Sequence, residues 1–136
     1  MLEGIEPLLR LSFAVAAAVY VALGIRALRA APAFANGAVA LLLLLIGVLL
    51  GGTALAYGAA SPLVDVIGRE VTVCTSGFLA VAVYVVYREY TVGPARPAVV
   101  ALLSVVPIAT SALAITNPMH GIIWTCLLYT SDAADE

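Results

Sequence analysis

Lysine is absent from this 136-residue chain, histidine and tryptophan occur once each, and only 10% of the residues carry charge. Ordinary globular domains are about 25% charged and about 45–50% apolar. Here 64% of the residues are hydrophobic, so a soluble domain of this length is excluded. The scarcity of ligating side chains excludes a metal centre: His120 has no second His, thiolate or carboxylate at ligand spacing beside it. All six basic residues are Arg, which reads as a codon-composition effect, and they are scattered. Without a basic patch, nucleic acid is not an expected partner.

What the chain does have is four long apolar runs between Leu8 and Trp124, with nearly every charge at the end of a run. A spanning helix needs roughly 20 apolar residues, and no charged residue occurs between Ala30 and Val64. The expected spans are 7–28, 33–57, 70–88 and 97–115. In the first, Arg10 and Arg26 flank a charge-free stretch from Leu11 to Ile25 and can snorkel to the two interfaces. A cleaved signal peptide is the rival reading for it, but Glu3 and Glu6 stand where a basic n-region would be. The third run, Val71 to Tyr87, is short, and Gly68 to Glu70 or Arg88 are expected to carry the helix into the headgroups. The fold class is therefore all-α, an integral membrane bundle of four transmembrane helices. The lipid bilayer is its first partner.

The connections Arg29 to Pro32, Gly58 to Arg69 and Glu89 to Arg96 are too brief for a soluble domain. Arg26, Arg29, Arg88 and Arg96 fall on one side of the membrane and Arg10 and Arg69 on the other. By the positive-inside rule, this multi-pass cell-membrane protein has its amino terminus, the Gly58 to Arg69 loop and the exit after Ile115 outside.

At Cys126 the character changes abruptly. Residues 126–136 read CLLYTSDAADE, which matches over all eleven positions the translation of a transposase adapter used in sequencing libraries. The expectation is a non-native tail on a truncated membrane region, 1–125. Without Asp132, Asp135 and Glu136, six Arg face five acids, and acidity says nothing about partners. Without Cys126, Cys74 stands alone in the third helix as a packing residue.

Two features speak for helix packing. Gly47 and Gly51 form a G-x-x-x-G in the second run, and Ala14, Ala18 and Ala22 repeat a small-residue spacing on the first. Either an intramolecular seam or a homodimer face would use them. Pro107 in the fourth run frees a backbone carbonyl, and Ser104, Thr110 or Ser111 are placed to re-satisfy that region. Tyr84, Tyr87 and Tyr90, near the inner end of the third helix, read as an interfacial belt.

The one motif-like segment is Thr116-Asn117-Pro118-Met119-His120-Gly121-Ile122-Ile123-Trp124. Asn117-Pro118 should turn the chain at the interface and Trp124 can anchor at headgroup level, so a purely structural role stands beside a sensing one. With its Arg-led fourth helix and central Pro107, this segment resembles the amino-terminal seven-helix membrane region of prokaryotic sensor histidine kinases. Tyr87-Arg88-Glu89-Tyr90-Thr91-Val92-Gly93 is similar to that family's aromatic, Tyr-Thr-Gly signature, with Val92 as an apparent insertion. Ala56-Tyr57 stands where the family commonly closes its second helix with a Trp and a Tyr-Ala pair. The resemblance extends over Met1 to Thr125 and implies the first four helices of seven, with three further helices and a cytoplasmic kinase half in the parent protein.

No catalytic or cofactor-binding residue is expected. A phospho-accepting His usually has an acid beside it, whereas His120 is followed by Gly121, and Asn36 and Asn117 cannot make an Asn- and Gly-rich ATP pocket. The leading expectation is a membrane-embedded sensory input module of a two-component signalling protein, with Thr116, Asn117, Pro118, His120, Gly121 and Trp124 as candidate sensing residues. The alternatives are a small four-helix transporter and a membrane scaffold subunit. Against the transporter, Glu3, Glu6, Asp65, Glu70 and Glu89 all lie at or beyond a helix end, whereas proton coupling usually needs an ionisable group inside the membrane.

Overall fold

The computed structural model describes residues 5–30, 34–57, 59 and 61–117, with the side chains of 34–36 excepted. Among the described residues there are four helices in chain order: α1 (Glu6–Ala30), α2 (Phe34–Ala56), α3 (Pro62–Thr91) and α4 (Pro97–Ile115). All four are long and apolar enough to cross a membrane, as the apolar runs require.

Three of the four match their apolar runs within two residues at each end. The third does not: α3 is 30 residues long and begins at Pro62, not near residue 70. The reason is local. Ser61 is extended and its hydroxyl accepts from the Val64 N–H at 3.4 Å, Pro62 follows at the first helical position, and Asp65 sits in the first turn. Arg69 Nε then donates to Asp65 Oδ1 at 2.8 Å, one turn apart. These residues build a polar extension of the helix from residues expected to be loop. At 1.5 Å per residue α3 spans about 45 Å, the full bilayer with its headgroup layers and not only the roughly 30 Å hydrocarbon core. Its far end closes on Gly93, whose φ of 122° suits glycine, and the Val92 and Gly93 N–H groups both donate to the Arg88 carbonyl at 3.0 Å.

Packing is sequential and antiparallel, α1 on α2, α2 on α3 and α3 on α4, with the last contact the least extensive. The buried apolar residues are small ones, Ala38, Ala40, Ala54, Ala82 and Ala114 with Val81, while most large aliphatic side chains point outward. Lipid is as apolar as Leu, so burying large side chains between helices gains little, and close backbone approach is what holds the helices together. Glycines mark each contact. A methyl on Gly24 would lie 2.8 Å from Leu44 Cγ, and one on Gly47 2.7 Å from Val21 Cγ2. Between α2 and α3, Gly52 and Gly68 face one another so closely that a Gly68 methyl would lie 2.6 Å from Ala56 N and 2.7 Å from the Gly52 carbonyl oxygen.

The G-x-x-x-G is therefore an intramolecular device at Gly47, whereas a Gly51 methyl would make only an ordinary contact at 4.0 Å. On α1 the seam uses Ala17, Val21 and Gly24, and Ala14, Ala18 and Ala22 point outward. Phe13 and Tyr57 brace one end of the α1–α2 pair, with ring centroids 5.6 Å apart. Arg26, Arg29, Arg88 and Arg96 gather at one end of the row of helices, and Arg10 and Arg69 at the other.

Candidate sensory site

Most of the Ser and Thr hydroxyls of α3 and α4 bond back to their own helices. Thr72, Thr75 and Ser76 donate to the carbonyls of Gly68, Val71 and Val73 at 2.8, 2.7 and 2.8 Å. On α4, Ser104 donates to Val100 O at 2.8 Å, and Thr110 to Val106 O at 2.8 Å and Pro107 O at 3.1 Å. None of these bonds goes to the carbonyl of Leu103, the residue four before Pro107, so these hydroxyls do not supply the expected repair and make ordinary bonds back along the helix. Ser111 Oγ is enclosed and has no hydrogen-bond partner among the described residues.

α4 turns Ser104, Pro107, Ser111 and Ala114 towards α3, a stripe with alternating steps of three and four. Pro107 sits against Gly77: a methyl there would meet Pro107 Cβ at 2.9 Å and Cα at 3.3 Å. Beside this contact runs a groove of about 650 Å³. Its α3 wall is Val73, Ser76, Gly77, Ala80, Val81 and Tyr84. Leu103, Val106, Pro107 and Thr110 make the wall on α4. Such a volume lies within the range of small-molecule pockets. Sequence reasoning singled out Pro107 and Tyr84 for other reasons and missed the groove. Its signal was present in the recurrence of small and aliphatic residues at steps of three and four from Val73 to Tyr84.

The motif at the end of α4 is seen only at its start. Thr116 closes the helix with φ −86° and ψ −1°, and its hydroxyl donates to Ala112 O at 2.7 Å. Asn117 is 2% exposed, one of two buried polar residues among those described, the other being Thr75. Pro118, His120, Gly121 and Trp124 lie outside the described residues. At the same end of the row, a polar cleft of about 440 Å³ is lined by Glu6, Ser61, Asp65 and Arg69, from the starts of α1 and α3. Among the described residues no group of three His, Cys, Asp or Glu could hold a metal ion. Cys74 is a half-buried free thiol.

Residues 11–134 match the N-terminal 7TM region of histidine kinases. The chain belongs to this family. Neither the curated proteins nor the solved structures gave a match. Membership decides between the sequence readings. This is a membrane sensory module of the histidine kinase type, not a four-helix transporter, and the 7TM region is the input part of such proteins and not their catalytic part. The matched span reaches into residues 126–136, as far as residue 134.

Proposed function

We propose that this histidine kinase 7TM region receives its cue at the end of α4, in Thr116 to Trp124, and passes it on by shifting α4 against α3 to a cytoplasmic kinase half in the parent protein. The observation that carries the reading is Asn117. A buried amide at a helix exit costs free energy unless its environment is arranged for it, and Asn117 is 2% exposed just past the end of the helix with the least extensive packing in the row. A displacement at that end needs to overcome fewer contacts than one of α1 or α2, and helix shifts of about 1–2 Å are a known form of switching.

The same reading places the amino terminus and the 116–124 segment outside the cell, because the four-Arg end of the row takes the cytoplasmic side. It treats homodimerisation as a property of the outward row Ala14, Ala18 and Ala22, whose spacing suits a second close helix. Disulfide trapping through a cysteine at Ala18, in the parent protein, tests that row. The reading also treats 126–136 as foreign to the gene, and long sequencing reads through the locus that encode the same eleven residues would refute this.

Signalling is tested in the parent protein by Asn117→Ala and His120→Ala, each scored for membrane abundance and for transcriptional output across stimulus conditions. Both should change output several-fold at unchanged abundance, and Trp124→Phe should be mild. Normal output from both alanine variants would reduce the segment to a cap and an anchor.

A further inference from the structure

We propose that the groove between α3 and α4 is the seat of another transmembrane helix of the same seven-helix region. The inference rests on the sensory-region reading of the chain, and four observations lead to it.

The first is shape. The α3 wall from Val73 to Tyr84 spans about 17 Å at 1.5 Å per residue, three turns of helix. Ser76, Gly77 and Ala80 keep that wall low, which lets a third backbone approach as α2 and α3 already approach at Gly52 and Gly68. The second is depth. The groove lies between Arg69 and Arg88 along α3, in the stretch that crosses the hydrocarbon layer, so its occupant is apolar.

The third is the hydrogen-bond inventory. Ser76 and Thr110, the hydroxyls in the groove beside Tyr84 at its inner end, already donate to backbone carbonyls of their own helices. Nothing there requires a polar ligand, and a helix with its backbone bonds satisfied internally fits. The fourth is number. The family's region has seven helices and the described residues hold four, packed in a row that leaves one flank of α4 uncovered, with Leu102 71% and Val106 68% exposed.

Of the other occupants, a lipid acyl chain needs no low wall three turns long, and a second copy of the chain would leave the other helices of the region without this seat. The test is site-specific photocrosslinking in native membranes, in the full-length product of the gene. An aliphatic diazirine replaces Leu103, and in a second variant Val106, both in the groove; Val105, 57% exposed on another face of α4 and outside the lining, is the control.

Mass spectrometry should find crosslinks from 103 and 106 to a membrane-spanning peptide of the same chain outside α1–α4, several-fold enriched over position 105. Lipid adducts at 103 and 106 equal to those at 105 would overturn the proposal, as would crosslinks between two differently tagged copies. A gene product that encodes no further spanning helix would overturn the sensory-region reading itself. That outcome is read from its sequence, before any crosslink is made.

Discussion

Gly68 and Gly37 are both helical glycines, and the physics of their replacement runs in opposite directions. At Gly68 the atoms in the way are backbone atoms, Ala56 N and the Gly52 carbonyl oxygen, which cannot rotate aside as a side chain can. Accommodating a methyl means separating α2 from α3, and overpacking of this kind costs about 1–3 kcal/mol. At Gly37 a methyl meets nothing within 4 Å, and exchanging Gly for Ala in a helix gains up to about 1 kcal/mol of propensity. Gly68→Ala should therefore lower, and Gly37→Ala leave unchanged or raise, the stability measured by unfolding in bicelles. Equal effects of the two would mean that the α2–α3 contact is looser than the Gly52–Gly68 approach implies. None of this contrast was legible in the sequence, where both residues are simply glycines near the end of an apolar run, each beside a polar residue, Asn36 or Arg69. It depends on which face of α2 meets which neighbour.

At the scale of the element, helix number and the extents of α1, α2 and α4 were legible, because lipid imposes a length on an apolar run that few other environments impose. The start of α3 was less so. An apolar run reports where a helix lies in hydrocarbon, not where it begins, and Ser61-Pro62 with Asp65 and Arg69 carries the helix through the headgroup layer by capping and an ion pair. Those signals are in the sequence, but they are outweighed there by the polarity of Asp65, Arg69 and Glu70. The small-residue rows show a second limit. Ala14, Ala18 and Ala22 have the spacing of a seam, yet α1 packs through Ala17, Val21 and Gly24. In a helix this rich in alanine more than one face carries small residues, so composition cannot choose the seam; the glycine does.

For the whole molecule, four helices in an antiparallel row turn six arginines into a dipolar arrangement, with Arg26, Arg29, Arg88 and Arg96 at one end and Arg10 and Arg69 at the other. Acids do little to set orientation, and the connections are short enough for the rule to apply. The ion pair of Arg69 with Asp65 is more than half exposed on the Arg side and adds little to stability, so its neighbourhood is free to serve as a solvent-facing surface. In the orientation proposed above, the polar cleft of Glu6, Ser61, Asp65 and Arg69 would face outward together with the end of α4, and Gly93 with the α3–α4 turn would face the cytoplasm. Single cysteines at Ala59 and Gly93, in a chain with Cys74→Ala and Cys126→Ala, should be labelled by a membrane-impermeant maleimide from opposite sides. Intact cells should label position 59 and spare position 93 until the membrane is opened. Gly93 has φ 122°, so a cysteine there strains the turn; a cysteine at Ala95 in the same turn gives an independent reading. Labelling of 93 and 95 in intact cells, with 59 protected, would invert the molecule and move the 116–124 segment to the cytoplasmic side, where it could not meet an external cue.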